Sequence, residues 1–539
     1  MPGMTDTDDK PVPSCAVKMT KSKQCGRPVH LAPDHDKQPV CLMHSKDPAK
    51  SNTQFQAEFE RILAEVKGDG AVADFFGFVF PASNHKGKTF APACNFVETI
   101  FTQLANFRGC TFAQRASFRG SKFTQGVDFR GAIFAQSASF QKATFDQDAS
   151  FMGSAFTQDA DFCFAAFNQD ANFYRSTFNE NVEFNGARFK NRAHFLGSKF
   201  TQCAHFKGAK FVQDAVFTRS TFGKEAGFDG ATFLRGAEFR GARVFGSAKF
   251  RKTRFRHDVT EEYGLNFSDV QVEHPEQVEF YQTDLGQALF YNTDVSQVNF
   301  TLVTWRERGR KSWVQRWSLL RWVARRRTSR FCVFEEAVDL DRSETLRPLK
   351  GSADERNYGL IAEIYQQLKG NYDAKGDYWI AGHFHFGEME MKRLHCRWRI
   401  RPLRWLSHHF SLVALYKYAS AYGESYTLPL VWLTAVLMFF ALMYPLTGLE
   451  LSLPSGGGLI GYWNWSEFFQ THLLEHPSGW WGMLLHSLMT SLSVAGFQRE
   501  LRYSPSYPWG RLMGLLEISL TTTLGALFAL AIRRQFKRS

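Results

Sequence analysis

The first fifty residues hold the side chains best suited to chemistry. Cys15, Cys25, Cys41 and His44 fall in CAVKMTKSKQCGRPVH…VCLMH, a stretch too poor in apolar residues to build a core. Three thiols and an imidazole are a Cys3His set for a structural Zn²⁺, which would supply the folding energy that burial cannot. Cys41 and His44 form a C-x2-H half-site on one tight turn, with His30 and His35 as competing fourth ligands. The C-x9-C spacing of the first pair is wider than the usual C-x2-C, so unpaired cysteines in a polar tail are the alternative reading. No glutamate is placed beside the set as a base, which favours a structural over a catalytic metal. The chain shows no nucleophile elbow, phosphate loop or paired catalytic carboxylates, and an enzyme is not expected.

A second candidate set lies near the C-terminus. Residues 428–449 carry no charge and are long enough to cross an apolar layer of about 30 Å, and 512–532 are a second such stretch with one carboxylate, Glu517. Between them, 480–493 (WWGMLLHSLMTSLS) is apolar but too short to span, and ends in small and hydroxyl residues. This is the pattern of a re-entrant helix followed by a loop, which is tolerated only where protein or a wet cavity surrounds it. Glu517 is a functional candidate because a carboxylate at membrane depth is costly, and it is expected to bond the back of that loop at Ser487 or Thr490. Thr521, Thr522 and Thr523 either line a lumen or bond back to their own helix.

The elements that must position these groups begin with phenylalanine, 54 of 539 residues. From Phe96 to Phe255 it recurs at steps of five and six, with Val244 at the one skipped position, giving an eleven-residue repeat F-x4-F-x5. Neither one straight helical stripe nor strand alternation uses that spacing, whereas a solenoid does, each repeat pointing a Phe inward. A small residue, usually Ala or Val, sits two before the first Phe of a repeat, as in Ala105-Asn106-Phe107, and Gly, Ser or Ala recurs two before the second, as in Ser121-Lys122-Phe123. The pattern resembles the pentapeptide-repeat family, A-(D/N)-(L/F)-x-x, in a variant with one extra residue in every second repeat. That resemblance implies a right-handed quadrilateral β-helix. Two units per coil give about seven coils over 96–255 and a rod of some 35 Å. After a break near 257–275, Phe280, Leu285, Phe290, Val295 and Phe300 step by five, as one more coil. Residues 55–66 read as an amphipathic helix able to cap the open end.

The formal charge of +13 points to anionic partners, nucleic acid or a membrane face. Basic residues such as Arg108, Arg115, Arg119 and Arg130 on the repeat disfavour mimicry of DNA, which needs an acidic surface. The Arg-rich stretch with Trp305, Trp313, Trp317 and Trp322 fits a helix on a lipid surface better than a nucleic-acid site, because spanning segments follow. Residues 355–395 read as two helices joined at Lys375-Gly376. His383 and His385 would point about 200° apart there, so packing is favoured over metal. The segment resembles the connector that precedes the membrane domain in pentapeptide-repeat proteins of the ion-channel type.

The order span, short helix, hydroxyl-rich loop and second span resembles the pore domain of potassium-type channels. Carried over by position, Thr490, Ser491, Ser493, Val494, Ala495, Gly496 and Phe497 fall where T-x-G-(Y/F)-G lies. Gln498 and Arg499 replace its second glycine and acid, so potassium selectivity is not implied. The resulting plan is a zinc-binding-like module over 1–50, capping helix and linker over 51–89 and the β-helix over 90–300. A basic connector covers 301–350, a helical connector 351–425, and a two-span hairpin with a re-entrant pore helix 426–539. The expected protein is an integral membrane, homotetrameric ion channel with the bilayer, its own copies and an inorganic ion as partners. Arg and Lys flanking both spans place the termini and the β-helix in the cytoplasm, and cysteine use without a signal-peptide pattern fits a reducing compartment. The alternative is a non-conducting membrane-anchored scaffold whose solenoid and zinc module recruit a cytoplasmic partner.

Overall fold

The computed structural model describes residues 14–19, 24–30, 36, 38–66, 71–256, 263–309, 329–340, 357–395, 408–447, 449–451, 462–463, 479–496, 503–505 and 508–538. It divides into two compact units, Met1–Asn371 and Tyr372–Ser539.

The first unit is a four-sided β-solenoid of about ten turns, its two- to five-residue strands stacked into parallel sheets of nine, eleven, nine and ten strands. Thr111 pairs with Ile133 and Phe112 with Phe134, so one coil is two eleven-residue units. Inside, phenylalanines of successive coils stack nearly face to face. Phe101 and Phe123 have ring centroids 4.6 Å apart at 1°, Phe107 and Phe129 4.9 Å at 6°. The contact is the 4.8 Å rung spacing of the sheets, which lets each ring lie on the one below. Alanines such as Ala116, Ala138 and Ala160 fill the narrow positions, and Ser121 and Ser154 satisfy their buried hydroxyls on the carbonyls of Phe118 and Phe151. At one corner Phe164 adopts φ +58° and its ring lies where a Cβ on Gly186 would come within 2.7 Å, so a side chain there would have to displace the ring.

The solenoid begins earlier than the linker expected over 51–89. Val72–Asp74 opens the eleven-stranded sheet, and Phe75, Phe80, His85 and Phe90 fill the first coil. The steps there are five residues throughout, and His85 takes a phenylalanine position, which hides the coil from a search for phenylalanine. The stacking continues past the break near 257–275: Ala237 pairs with Leu265, and Phe267 and Val270 stay inside. In the last coil Glu279 pairs with Asn299, a twenty-residue turn of four strict pentapeptides.

Both ends are closed. Helix α1 (Asn52–Glu65) starts at Ser51, which caps the amide of Gln54, and lays Phe55, Phe59 and Ile62 on the first coil. Phe59 sits 4.7 Å from Phe75 and Phe55 4.9 Å from Phe80. At the far end Trp305 packs 5.4 Å from Phe300 and is 5% exposed. Trp305 thus closes the solenoid and does not belong to a lipid-facing connector; Trp313, Trp317 and Trp322 lie outside the described residues. Arg306–Gly309 then pairs antiparallel with Ser329–Cys332, and helix α2 (Phe334–Leu340) follows. Buried Glu336 accepts from Arg330 and from the Tyr365 hydroxyl, and Tyr365 lies on helix α3 (Tyr358–Ala374). Asn371 on the same helix donates to the carbonyls of Val295 and Val298 at 3.0 and 2.7 Å, taking up backbone acceptors that no further coil covers.

The second unit is helical: α4 (Tyr378–Leu394), α5 (Leu412–Ser420), α6 (Thr427–Thr447), α7 (Gly479–Val494) and α8 (Pro508–Arg538). Helices α6 and α8 are long and apolar enough to cross a membrane. Their outward faces carry Leu430, Val431, Met438 and Phe439 on one and Leu512, Leu515, Leu516 and Leu520 on the other.

Candidate functional sites

The Cys3His set is assembled by two short ribbons. Ser14 bridges to Pro28 and Lys18 to Gln24, with the Cys15 amide on the Arg27 carbonyl at 2.8 Å and the Cys25 amide on the Val17 carbonyl at 2.9 Å. This hairpin brings the two cysteines of the wide C-x9-C spacing face to face. Val29–His30 then pairs with Val40–Cys41, and a turn in which the His44 amide bonds the Cys41 carbonyl delivers His44. The four ligand atoms lie within 4.8 Å of one another. His30 is directed to Asp47, 3.5 Å away, and is not in the set; His35 lies outside the described residues.

The distances suit one tetrahedral ion. Zn–S of about 2.3 Å and Zn–N of about 2.0 Å require S···S near 3.8 Å and S···N near 3.5 Å. Cys25 Sγ and Cys41 Sγ are 3.7 Å apart, Cys15 Sγ is 3.5 Å and Cys41 Sγ 3.2 Å from His44 Nδ1. His44 Nε2 is 3.0 Å from the Phe76 carbonyl, which can only accept, so the proton is on Nε2 and the lone pair of Nδ1 faces the sulfurs. The Cys41 hydrogen bond, with help from His44 and Arg27, holds the Cys25 thiol far below its usual range, at about 3, and drives Cys41 upward. Arg27 Nη1 donates to Cys25 Sγ at 3.3 Å while its Nε grips Glu58 of α1.

A lysine absent from the sequence expectations ties this module to the solenoid. Lys50 is 6% exposed and donates to the carbonyls of Leu42, Ser45 and Val79, over the face of Phe55. Burial lowers its pKa to about 8. Nothing in the local sequence singles Lys50 out, because its acceptors come from both the cysteine turn and the first coil.

In the second unit α7 packs against both α6 and α8. Glu517, fully buried on α8, accepts from Ser491 of α7 and from the Tyr444 hydroxyl of α6 at 2.5 Å. Ser491 Oγ also lies 3.1 Å from the Leu437 carbonyl, and Ser487 donates to the Ala441 carbonyl. Phe440, Tyr444, Val436, Val494 and Met513 pack around this node. Glu517 was expected to reach Ser487 or Thr490; it reaches Ser491, one turn beyond Ser487, and the Tyr444 partner was not anticipated. Thr521 bonds back to the Glu517 carbonyl at 2.8 Å and Thr523 to that of Ser519 at 2.7 Å.

The residues aligned with a filter are differently placed. Thr490, Ser491, Ser493 and Val494 are still helical, Ala495 bonds the Ser491 carbonyl, and Gly496 ends the helix at φ +83°. No glycine lies between Gly482 and Gly496 to release the chain from the α conformation, and the helix runs on to Val494. Phe497 lies outside the described residues.

A polar cluster joining α4, α5 and the last turns of α8 was also unforeseen. Glu390 on α4 accepts from Arg393 at 2.6 Å, Lys417 at 2.8 Å and the Tyr422 hydroxyl at 2.8 Å. Arg534, on the last turns of α8, donates to the Tyr422 carbonyl at 2.7 Å. Burial pushes the Glu390 carboxyl up, but Arg393 and Lys417 outweigh it and hold the group at about 2.

Residues 96–144, 118–163 and 195–243 match the family Pentapeptide repeats (9 copies), so the ladder is a pentapeptide-repeat solenoid. No curated protein and no solved structure matches the chain significantly.

Proposed function

We propose that this chain is a membrane channel-like protein. Four copies bring their α6–α8 hairpins around one axis, α7 enters the bilayer as a re-entrant helix, and the right-handed solenoid stands in the cytoplasm as a sensing or gating body. The observation that carries this reading is the Glu517 node. A sixteen-residue helix too short to cross is fastened between two candidate spans by Ser487 and Ser491, whose hydroxyls reach Ala441, Leu437 and Glu517. Polar groups are kept at membrane depth where they line or brace a pathway. One hairpin supplies only a quarter of such a pore, which is why four copies are invoked. Arg533, Arg534, Lys537 and Arg538 at the end of α8, and the basic run before α6, support a cytoplasmic position for both termini by the positive-inside rule. Zn²⁺ held by Cys15, Cys25, Cys41 and His44 would lock the N-terminal cap, and no catalytic role is assigned. Full-length protein in liposomes is expected to pass ions above the level of empty vesicles, and single-particle images to show four copies around a central path. Absence of both overturns the reading.

A second reading is a non-conducting anchor whose solenoid and metal module recruit a cytoplasmic partner. Under it, Gln498→Gly with Arg499→Asp brings no current.

A further inference from the structure

The outer surface of the solenoid carries a second group of metal-ligating side chains, far in sequence from the Cys3His set. We propose that Cys203, His205 and Glu225 bind Zn²⁺ on one face of the solenoid, with a fourth position open to water.

The geometry follows from the coil. Cys203 and His205 flank buried Ala204 on one strand, so both point outward, side by side. Cys203 pairs with Glu225 on the next rung, which sets the carboxylate directly beside the thiol. One donor atom from each of the three residues falls within 4.8 Å of the other two. Rotation about the exposed side-chain torsions can bring donors at this range to the separations of a tetrahedral set when an ion arrives.

Two neighbours prepare the histidine. On the rung below, Glu183 pairs with His205, and its Oε1 is 2.8 Å from His205 Nδ1. A carboxylate on Nδ1 fixes the tautomer and makes Nε2 the ligating nitrogen, the usual support for a metal-bound imidazole. On the rung above, His205 faces Gly227, where any Cβ would press within 3.2 Å of the imidazole Cδ2. The same column carries Asp161, Glu183, Lys249 and Glu279 elsewhere, so Gly227 opens a notch at this rung. Lys249 holds Glu225 Oε1 at 2.8 Å, and the carboxylate has a second oxygen for the ion. A thiolate, an imidazole and one carboxylate select zinc over calcium or magnesium, which take oxygen alone.

The test is zinc stoichiometry. Full-length protein is stripped with a chelator, reloaded with Zn²⁺, desalted and analysed for metal, alongside Cys203→Ser and His205→Gln. Each variant is expected to hold one equivalent less than the parent, whatever the N-terminal set contributes. Equal content in the parent and both variants overturns the proposal. The three side chains are on the outside of the coil, and unchanged far-ultraviolet dichroism of the stripped proteins shows that the variants fold. In Co²⁺-loaded protein, Cys203→Ser is expected to weaken the thiolate-to-cobalt absorption, and an unaltered band also overturns it.

Discussion

His44 turns its two ring nitrogens to different tasks: Nε2 lies 3.0 Å from the Phe76 carbonyl, and Nδ1 lies 3.5 Å from Cys15 Sγ. The backbone of the first coil therefore chooses which nitrogen faces the thiols. Chelation is expected to lower the melting temperature of the full-length protein, and Zn²⁺ to restore it. His44→Ala is expected to lose one equivalent of zinc and that metal-dependent shift. A melting temperature indifferent to chelator sinks the assignment.

Phe151 is sandwiched between Phe129 at 5.0 Å and Phe173 at 4.9 Å, with its own surface fully covered. Phe151→Ala leaves a ring-sized hole in a column that cannot collapse, because the sheets fix the rung spacing. The expected cost is about 3–5 kcal/mol, read from denaturant unfolding. Phe164→Ala, at a corner where the ring is 61% exposed, should change stability by only about 0.5 kcal/mol.

Glu390 gives the helical unit an acid limit. Its carboxyl is held at about 2 against an ordinary 4.5, so folding favours the charged form. The contribution, on the order of 3 kcal/mol, is fully present above about pH 4.5 and is lost as pH falls toward 2. Glu390→Gln should flatten the fall in melting temperature over that window. An equal fall in both proteins would assign it to other groups.

Removing the Glu517 carboxylate by Glu517→Ala leaves Ser491 and Tyr444 without their shared acceptor in a buried site. The expected loss is about 2–4 kcal/mol of stability in detergent, with Glu517→Gln losing less because its amide oxygen still accepts. If Ala and Gln behave alike, the hydrogen bonds are not what holds α7 in place.

The solenoid is legible in sequence because each coil repeats the same local decision, a small residue and a ring both turned inward at fixed spacing, and periodicity exposes it. Legibility fails where a rung departs in residue type. His85 conceals the first coil, and Trp305 looks like a lipid anchor because its neighbours are arginines, although its packing partners are Phe290 and Phe300. The Cys3His residues are readable as ligand types, but the hairpin that makes C-x9-C work depends on backbone pairs at 14–28. Apart from Arg393, three residues on along the same helix, the partners of Glu390 come from other segments, as do those of Glu517 and the Val79 acceptor of Lys50. No sequence pattern marks such contacts, since tertiary packing alone brings them together.

The constant register of the middle coils has one more consequence. Ala116, Ala138 and Ala160 pair in turn, and the rings of Phe118, Phe140 and Phe162 stack in the same order. Excising residues 138–159 joins Ser137 to Ala160 and leaves each ring, turn and ladder bond with a partner of the same type. Rod length is thus a tally, adjustable in increments of about 4.8 Å, and a series of shortened or lengthened proteins turns the solenoid into a ruler for whatever it measures against.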